Sequence, residues 1–327
     1  MVLGKSALDR GEYLERTDGD PESDGALLPF RQNRKKNEAA GSEEKRSFLD
    51  FLSGIGYNRK KTKREKTMLQ DLCRIAVEAG GIIRSAGDAD GSVRQKTSQR
   101  DLVTKYDLQV QDFLRGELLR LLPQADFLGE EDAAEAERKD GAWQFIVDPI
   151  DGTTNFVQGF PNSAVSVGLA YEGRMEYGVV FNPFDGELYA AQRGCGATLN
   201  GKAIRCRDNP LDRSLLMFGS ALYYRELVPE TLRLFGLAFP LVQDVRRFGS
   251  AALDLCYLAA GKAGVFFECR LCPWDYAAGS LIAREAGCEV TQLDGAPLSL
   301  QSKSSVLAGS PEAYRSLFAL FRHTKEE

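Results

Sequence analysis

The chain has 327 residues, of which 43% are hydrophobic and 27% are charged, and its formal net charge is −5. This composition is typical of a soluble globular protein. No run approaches the roughly 18–20 apolar residues of a membrane helix, and the first residues lack the apolar core of a secretory signal, so we expect a cytoplasmic protein that does not contact membranes.

The first segment, residues 1–65, is polar and has no sustained apolar period. Such a composition predicts a disordered, charged extension. A basic cluster at residues 59–66 leaves a second interpretation open, in which the segment binds nucleic acid or a membrane surface. We place the folded domain at residues 66–327, with an α+β half over residues 66–200 and an α/β half over residues 201–327.

Two helices and four strands are predicted in the first half of the domain. Apolar residues recur at helical spacing from Leu69 to Ile83, and a second helix is expected over residues 108–122, where Pro123 ends it. Asp185-Gly186 is typical of a hairpin turn. The predicted strands cover residues 142–147, 164–171, 177–181 and 188–192.

Helices and strands alternate in the second half. The predicted helices cover residues 253–260 and 276–286, and a last helix begins at Ser310-Pro311 and reaches Arg322. The predicted strands cover residues 264–268, 289–293 and 305–308. A sheet-rich half followed by alternating elements predicts a layered α/β or α+β sandwich.

Histidine and cysteine usage excludes several kinds of active site. The only histidine, His323, lies close to the carboxyl terminus, so neither a Ser-His-Asp triad nor a histidine zinc site is expected. The seven cysteines are an odd number scattered through the chain and do not indicate a disulfide framework. With 47 Asp and Glu residues, a site for a hard cation is the natural expectation.

The segment Asp148-Pro149-Ile150-Asp151-Gly152-Thr153-Thr154 carries the strongest chemical signal. It follows an apolar strand and places two carboxylates three residues apart, an arrangement suited to holding a cation. Pro149 stiffens the turn between them. Gly152 permits a sharp turn that could direct the amides of Gly152 and Thr153 toward an anion.

Four further acidic residues have both a functional and a structural interpretation. Glu130 and Glu131 follow an apolar stub and could be metal ligands or a solvated acidic turn. Asp275 could bind a metal or act as the N-cap of the next helix. Asp107 could order a water molecule together with a hydroxyl of the 148–154 segment, or form a capping box with Thr104.

These segments, in this order, resemble the inositol monophosphatase family of lithium-sensitive phosphatases, to which fructose-1,6-bisphosphatases are related. The two signatures stand here as Asp148 to Phe156 and as Trp274-Asp275-Tyr276-Ala277-Ala278-Gly279, and Gly129-Glu130-Glu131 precedes the first. The match covers about residues 68–321. It implies a five-layer α-β-α-β-α sandwich and a site that uses two or three Mg²⁺ ions.

The resemblance also assigns roles to individual residues. Glu130, Asp148 and the carbonyl of Ile150 are implied as ligands of one ion, Asp148, Asp151 and Asp275 as ligands of a second, and Glu130 as a contact of a third. Thr153 and Asp107 are implied to position and deprotonate the attacking water, and the amides of Gly152 and Thr153 to hold the phosphate. Ala251 and Glu268 fall where the family contacts inositol hydroxyls, and Glu131 and Lys96 are expected to support the site.

The implied activity is hydrolysis of a small phosphorylated polyol or sugar, with inositol monophosphate first among the candidates. Fructose 1,6-bisphosphate, histidinol phosphate and other sugar phosphates stay open, and Arg270, close to Glu268, would favour a substrate with a second phosphate. A non-catalytic scaffold that acts through the basic amino-terminal segment is the alternative of another class. The resemblance also implies a homodimer, and no nucleic-acid partner is expected for the domain itself.

Overall fold

The computed structural model describes residues 63–85, 93–95, 102–132, 142–220 and 222–323. A small hairpin of β1 (Val93–Gln95) and β2 (Leu102–Thr104) precedes a seven-stranded sheet. The strands of that sheet are β3 (Asp126–Gly129), β4 (Trp143–Asp151), β5 (Ala164–Tyr171), β6 (Arg174–Asn182), β7 (Glu187–Gln192), β8 (Ala197–Leu199) and β9 (Lys202–Ile204), and they lie side by side in chain order. Strand β4 runs parallel to β3 and antiparallel to β5, and each later strand pairs antiparallel with the one before it.

A second, five-stranded sheet lies in the carboxyl-terminal half. Its strands are β10 (Leu215–Phe218), β11 (Asp244–Arg246), β12 (Val265–Leu271), β13 (Glu289–Thr291) and β14 (Ser304–Gly309). They lie in the order β11-β10-β12-β14-β13. The sheet is mixed, since β10 pairs in parallel with β11 and β12, whereas β14 runs antiparallel to β12 and β13.

Helices form three layers around these sheets. The helices are α1 (Lys63–Ser85), α2 (Lys105–Leu121), α3 (Thr153–Val157), α4 (Val228–Ala238), α5 (Ala251–Ala259), α6 (Pro273–Glu285) and α7 (Pro311–His323). Helices α1 and α2 cover the outer face of the seven-stranded sheet, α5 and α6 lie between the two sheets, and α4 and α7 cover the five-stranded sheet. The result is the α-β-α-β-α sandwich that the family resemblance implies.

The middle layer is the most deeply buried part of the structure. Every residue of α5 is buried, and so is most of α6, because both helices have a sheet on each side. Close approach depends on small residues: a Cβ atom on Gly178 of β6 would lie 2.7 Å from the carbonyl oxygen of Ala278 in α6. Gly279 similarly lies against Leu255 of α5. The first contact fixes α6 against the seven-stranded sheet, and the second fixes it against α5.

The structure changes several predicted boundaries. The strand expected to end at Val147 continues to Asp151, and the helix expected from Tyr276 begins at Pro273. Strands β1 to β3, strands β8 to β11 and helices α3 and α4 were not predicted at all. Eight of these nine elements have only three to five residues, which is too short for an apolar period to be recognised.

The remaining predictions divide into those that the structure tests and those that it does not. All seven cysteines are free thiols, as expected. Among the described residues, no helix has both the length and the apolar character needed to cross a membrane. The predicted extension over residues 1–65 lies almost wholly outside the described residues, and it and the division at residue 200 stay predictions.

We expect Gly178→Ala to lower the free energy of unfolding by about 1–3 kcal/mol, because the added methyl group would force α6 away from β6. Urea unfolding monitored by circular dichroism would measure the change. Gly236→Ala in α4 is the matched control, since a Cβ atom there meets nothing within 4 Å and should be neutral or slightly stabilising. Equal stability of the two variants would contradict the packing argument.

Candidate active site

An irregularity in strand β4 presents the two aspartates of the first signature. The pairing register between β4 and β5 shifts between Asp148 and Asp151, so the backbone bulges there. Pro149 lies inside the bulge, where the ladder needs no amide donor. The amide of Ile150 donates to Oδ1 of Asp148 at 3.0 Å. The two carboxylates are therefore placed by a bulge within the strand, and the loop predicted after the strand begins only at residue 152.

Gly152 makes the turn that follows. Its φ of 90° is a left-handed conformation that favours glycine, and a Cβ atom would lie 3.1 Å from the carbonyl oxygens of both Asn162 and Gly249. The hydroxyl of Ser163 donates to the Gly152 carbonyl at 2.9 Å. These contacts around Gly152 hold the backbone in the turn that leads into α3 at Thr153.

Thr153 and Asp107 lie close together, although 46 positions separate them. The Thr153 Oγ1 atom lies 3.3 Å from Oδ1 of Asp107 and 3.1 Å from the carbonyl oxygen of Ile150. Asp107 is fully buried in the first turn of α2. A hydroxyl held against a buried carboxylate can pass a proton to it.

Asp151 is held by the amino-terminal end of α5. Its Oδ2 atom accepts hydrogen bonds from the hydroxyl of Ser250 at 2.5 Å and from the amide of Ala252 at 2.7 Å, and the backbone of Ala251 also interacts with it. Burial raises the pKa of Asp151 to about 6, while these hydrogen bonds oppose the rise. The predicted contact residue Ala251 therefore lies beside the carboxylates.

Asp275 stands at the amino-terminal end of α6, but it is not the N-cap residue. The helix begins two residues earlier at Pro273, with Cys272 as its N-cap. The Asp275 carboxylate accepts a hydrogen bond from the Cys272 amide at 2.7 Å. Because Asp275 lies in the first turn, its carboxylate is favourably placed with respect to the helix dipole.

Four buried or partly buried carboxylates repel one another in this region. Burial raises the pKa of Asp148 well above its usual value, and the charges of Glu130, Asp151 and Asp275 raise it further. The pKa of Asp275 is raised by the same causes, burial first and then Asp151 and Glu130. Glu130, which opens the short helical turn after β3, completes the group. We call Glu130, Asp148, Asp151 and Asp275 the carboxylate cluster.

The donor set of the carboxylate cluster suits a hard divalent cation. No described lysine or arginine forms an ion pair with Asp148, Asp151 or Asp275, and oxygen ligands are those that Mg²⁺ prefers. Within the described residues, no three Asp, Glu, Cys or His side chains already form a group that could hold a metal ion. The four carboxylates lie close enough for their charges to act on one another. Oxygens of Asp148, Asp151 and Asp275 accept hydrogen bonds from the protein itself, so these side chains must shift before they can coordinate a metal ion.

The structure describes two of the three other predicted residues, Glu268 and Glu131. Glu268 packs over Gly219, where a Cβ atom would overlap its carboxylate, and its charge acts on Asp275. The amide of Glu131 donates to the Gln111 side chain at 2.9 Å, which ties the turn after β3 to α2. Lys96 lies outside the described residues.

Two residues that support the site were missed in the sequence. Ser250 is the N-cap of α5 and also contacts Asp151; a serine directly before an apolar helical run is a recognisable signal, but that helix was predicted to begin at residue 253. Asn155 donates from Nδ2 to the carbonyl oxygens of Asn162 and Phe248, both at 2.7 Å. It joins the turn at Gly152 to the segment before α5, and asparagine gives no pattern that predicts such a contact.

Comparison with known proteins identifies the family. The family model described as "Inositol monophosphatase family" matches residues 65–326. A Vibrio cholerae protein named Nus factor SuhB is 38% identical over 261 residues, which cover 79% of this chain and 96% of that protein. Rat inositol monophosphatase 2 is 38% identical over 249 residues, 73% of this chain and 84% of the rat protein.

Solved structures agree with this result. The extragenic suppressor protein suhB from Bartonella henselae superposes with a TM-score of 0.72 at 32% identity, over 78% of this chain and 98% of that one. Inositol monophosphatase from Anabaena gives a TM-score of 0.70 at 32% identity, over 80% and 97% of the two chains. The chain belongs to the inositol monophosphatase family.

We expect Asp148→Asn to stabilise the protein in the presence of a chelator, because it removes one of four mutually repelling charges and can keep the bond to Ile150. A gain of about 1 kcal/mol corresponds to a rise in melting temperature of about 2–4 °C for a domain of this size. Added Mg²⁺ should then raise the melting temperature of the wild type more than that of the variant, in a thermal unfolding assay.

The exposed Asp212 supplies the control: Asp212→Asn should change neither the melting temperature nor the response to Mg²⁺. A chelated Asp148→Asn variant that melts several degrees below the wild type would contradict the account of the cluster.

Proposed function

We propose that this member of the inositol monophosphatase family is a magnesium-dependent phosphatase that hydrolyses a small phosphate monoester, with inositol monophosphate as the first candidate. The observation that carries the proposal is the position of the carboxylate cluster beside the Thr153–Asp107 pair. The reaction consumes water and the ester, and it yields the free alcohol and inorganic phosphate.

In this proposal the carboxylate cluster holds the metal. Glu130, Asp148 and the carbonyl of Ile150 serve one ion, Asp148, Asp151 and Asp275 serve a second, and Glu130 extends to a third. When bound, such ions neutralise the phosphate and lower the pKa of a coordinated water molecule. The repulsion among the four carboxylates supports this role, since divalent cations would offset it.

Thr153 and Asp107 would handle the proton of the attacking water. The Thr153 hydroxyl can donate to Asp107 and accept a proton from water through its remaining lone pair. The Thr153 hydroxyl passes its own proton to the buried Asp107 carboxylate, and the water oxygen becomes more nucleophilic as its proton moves to Thr153. The amides of Gly152 and Thr153 are proposed phosphate contacts, and the positions of Ala251 and Glu268 beside the cluster support contacts to the alcohol.

Relatives support the choice of substrate class. Two staphylococcal structures of inositol monophosphatase II, 26% identical to this chain, are described as bound to inositol monophosphate and to 2′AMP. Both ligands are phosphate monoesters of a secondary hydroxyl. We extend that chemistry to this chain, together with inhibition by lithium, a cytoplasmic location and a homodimer, as predictions from the family.

A second candidate function comes from the names of other relatives. Proteins from Vibrio cholerae and Escherichia coli that are 38% and 36% identical to this chain are named Nus factor SuhB. If this chain acted by binding a partner and not by hydrolysis, it would not require a catalytic site. The retention here of Glu130, Asp148, Asp151, Thr153 and Asp275 favours hydrolysis as the primary function.

Phosphate release from four substrates in the presence of Mg²⁺ tests the proposal: inositol 1-phosphate, fructose 1,6-bisphosphate, histidinol phosphate and 3′-phosphoadenosine 5′-phosphate. We expect turnover of at least one, with inositol 1-phosphate first. Thr153→Ala should lower kcat by about 10²–10⁴-fold, the usual contribution of acid–base catalysis, and Asp148→Asn should abolish turnover.

Thr198→Ala, a substitution of a partly buried threonine on β8, is the matched control and should keep full activity. The proposal fails if no substrate is hydrolysed, or if Asp148→Asn is as active as the wild type.

A further inference from the structure

A cluster of cationic and aromatic side chains lies at the carboxyl end of β12. The Arg270 guanidinium stands over the Tyr224 ring, with its central carbon 4.7 Å from the ring centroid. The Lys303 ammonium lies 4.9 Å from the same centroid and donates to the Tyr224 hydroxyl at 2.7 Å. We call these three residues the cation cluster. They come from three separate segments, so the fold assembles the cluster.

The cation cluster borders the carboxylate cluster through Cys272. The Tyr224 hydroxyl interacts with the Cys272 thiol, and the Lys303 charge acts on that thiol. The backbone amide of Cys272 in turn donates to the Asp275 carboxylate at 2.7 Å. One residue therefore separates a group of negative side chains from a group of positive ones.

The positive charge of the cation cluster is only weakly neutralised. Within the described part of the chain, no carboxylate forms an ion pair with Lys303, whose ammonium contacts only the Tyr224 phenol. Arg270 pairs with Glu226 at 2.9 Å, but the Glu226 side chain is 64% exposed. Solvent and salt screen an exposed pair of this kind, so an incoming anion could replace Glu226 at little cost.

The chemistry of the three side chains favours phosphate as that anion. An arginine fork can make two parallel hydrogen bonds to phosphate oxygens, and a lysine adds a compact charge. Tyr224 contacts both cations, with Arg270 over its ring and Lys303 at its hydroxyl. A neutral polyol hydroxyl would use none of this charge.

We propose that Tyr224, Arg270 and Lys303 bind the second phosphate of bisphosphate esters, which the site accepts in addition to monophosphates and whose first phosphate is hydrolysed at the carboxylate cluster. The inference rests on the proposed phosphatase function and names a second substrate class for that site. Arg270 and Lys303 are then specificity-determining residues: they act on the part of the substrate that does not react. Binding energy from that part should raise kcat/KM for bisphosphates over matched monophosphates.

The test compares fructose 1,6-bisphosphate with fructose 1-phosphate, which lacks only the second phosphate, using the full-length protein with Mg²⁺. We expect the wild type to prefer the bisphosphate. The double variant Arg270→Gln/Lys303→Gln should lower kcat/KM for the bisphosphate at least about tenfold, which equals roughly 1.4 kcal/mol, and should leave that for fructose 1-phosphate nearly unchanged.

A matched control removes two positive charges elsewhere. Lys202→Gln/Arg213→Gln changes two exposed residues, on β9 and on the helical turn at residues 211–213, and should preserve the ratio of the two kcat/KM values. Melting temperatures of both double variants establish that they are folded.

Three results would overturn the inference. The wild type could show no preference for the bisphosphate, the Arg270/Lys303 variant could lose activity toward both substrates equally, or the control variant could change the ratio as much. These outcomes leave the phosphatase proposal standing. Turnover of another panel substrate without turnover of either fructose ester would also overturn the inference alone. Failure of the wild type to hydrolyse every substrate, both in this pair and in the four-substrate panel, would instead contradict the phosphatase function, and the cation cluster would lose its proposed role with it.

Discussion

Mutual repulsion among four carboxylates is the constraint on which the site depends. Burial and neighbouring charges raise the pKa values of Asp148, Asp151 and Asp275 together, so the folded chain must hold these groups against a force that separates them. Hydrogen bonds from Ser250 and Cys272 provide part of that restraint. The amino-terminal ends of α5 and α6 provide another, because both direct positive helix dipoles at the carboxylates.

The layered fold determines where these carboxylates lie relative to one another. The seven-stranded sheet supplies Asp148 and Asp151 from the bulge in β4, whereas Asp275 comes from a helix of the middle layer. The close contact of Gly178 with the Ala278 backbone keeps that helix against the sheet. Packing within the core therefore determines the distance between carboxylates of different elements, and a change far from the cluster should alter its affinity for a cation.

The sequence alone predicted the layered architecture and the residues that converge, because local signals and two family signatures agree. It did not predict how they are held. Asp275 proved to be the third residue of α6 and not its N-cap, since Pro273 is favoured at the first helical position. Ser250 was missed because its partner, Asp151, lies 99 positions away. Of the cation cluster, the sequence analysis named only Arg270, because Tyr224 and Lys303 are distant from Arg270 in the sequence and approach it only in the folded structure.

The central claim is that the carboxylate cluster binds divalent cations. Crystals soaked in Mn²⁺ and measured at its absorption edge test this directly, because anomalous scattering locates the ion without reference to activity. We predict anomalous peaks within ligand distance of Asp148 and its neighbours Glu130, Asp151 and Asp275. Peaks elsewhere, or none at the cluster when Mn²⁺ is in excess, would contradict the account.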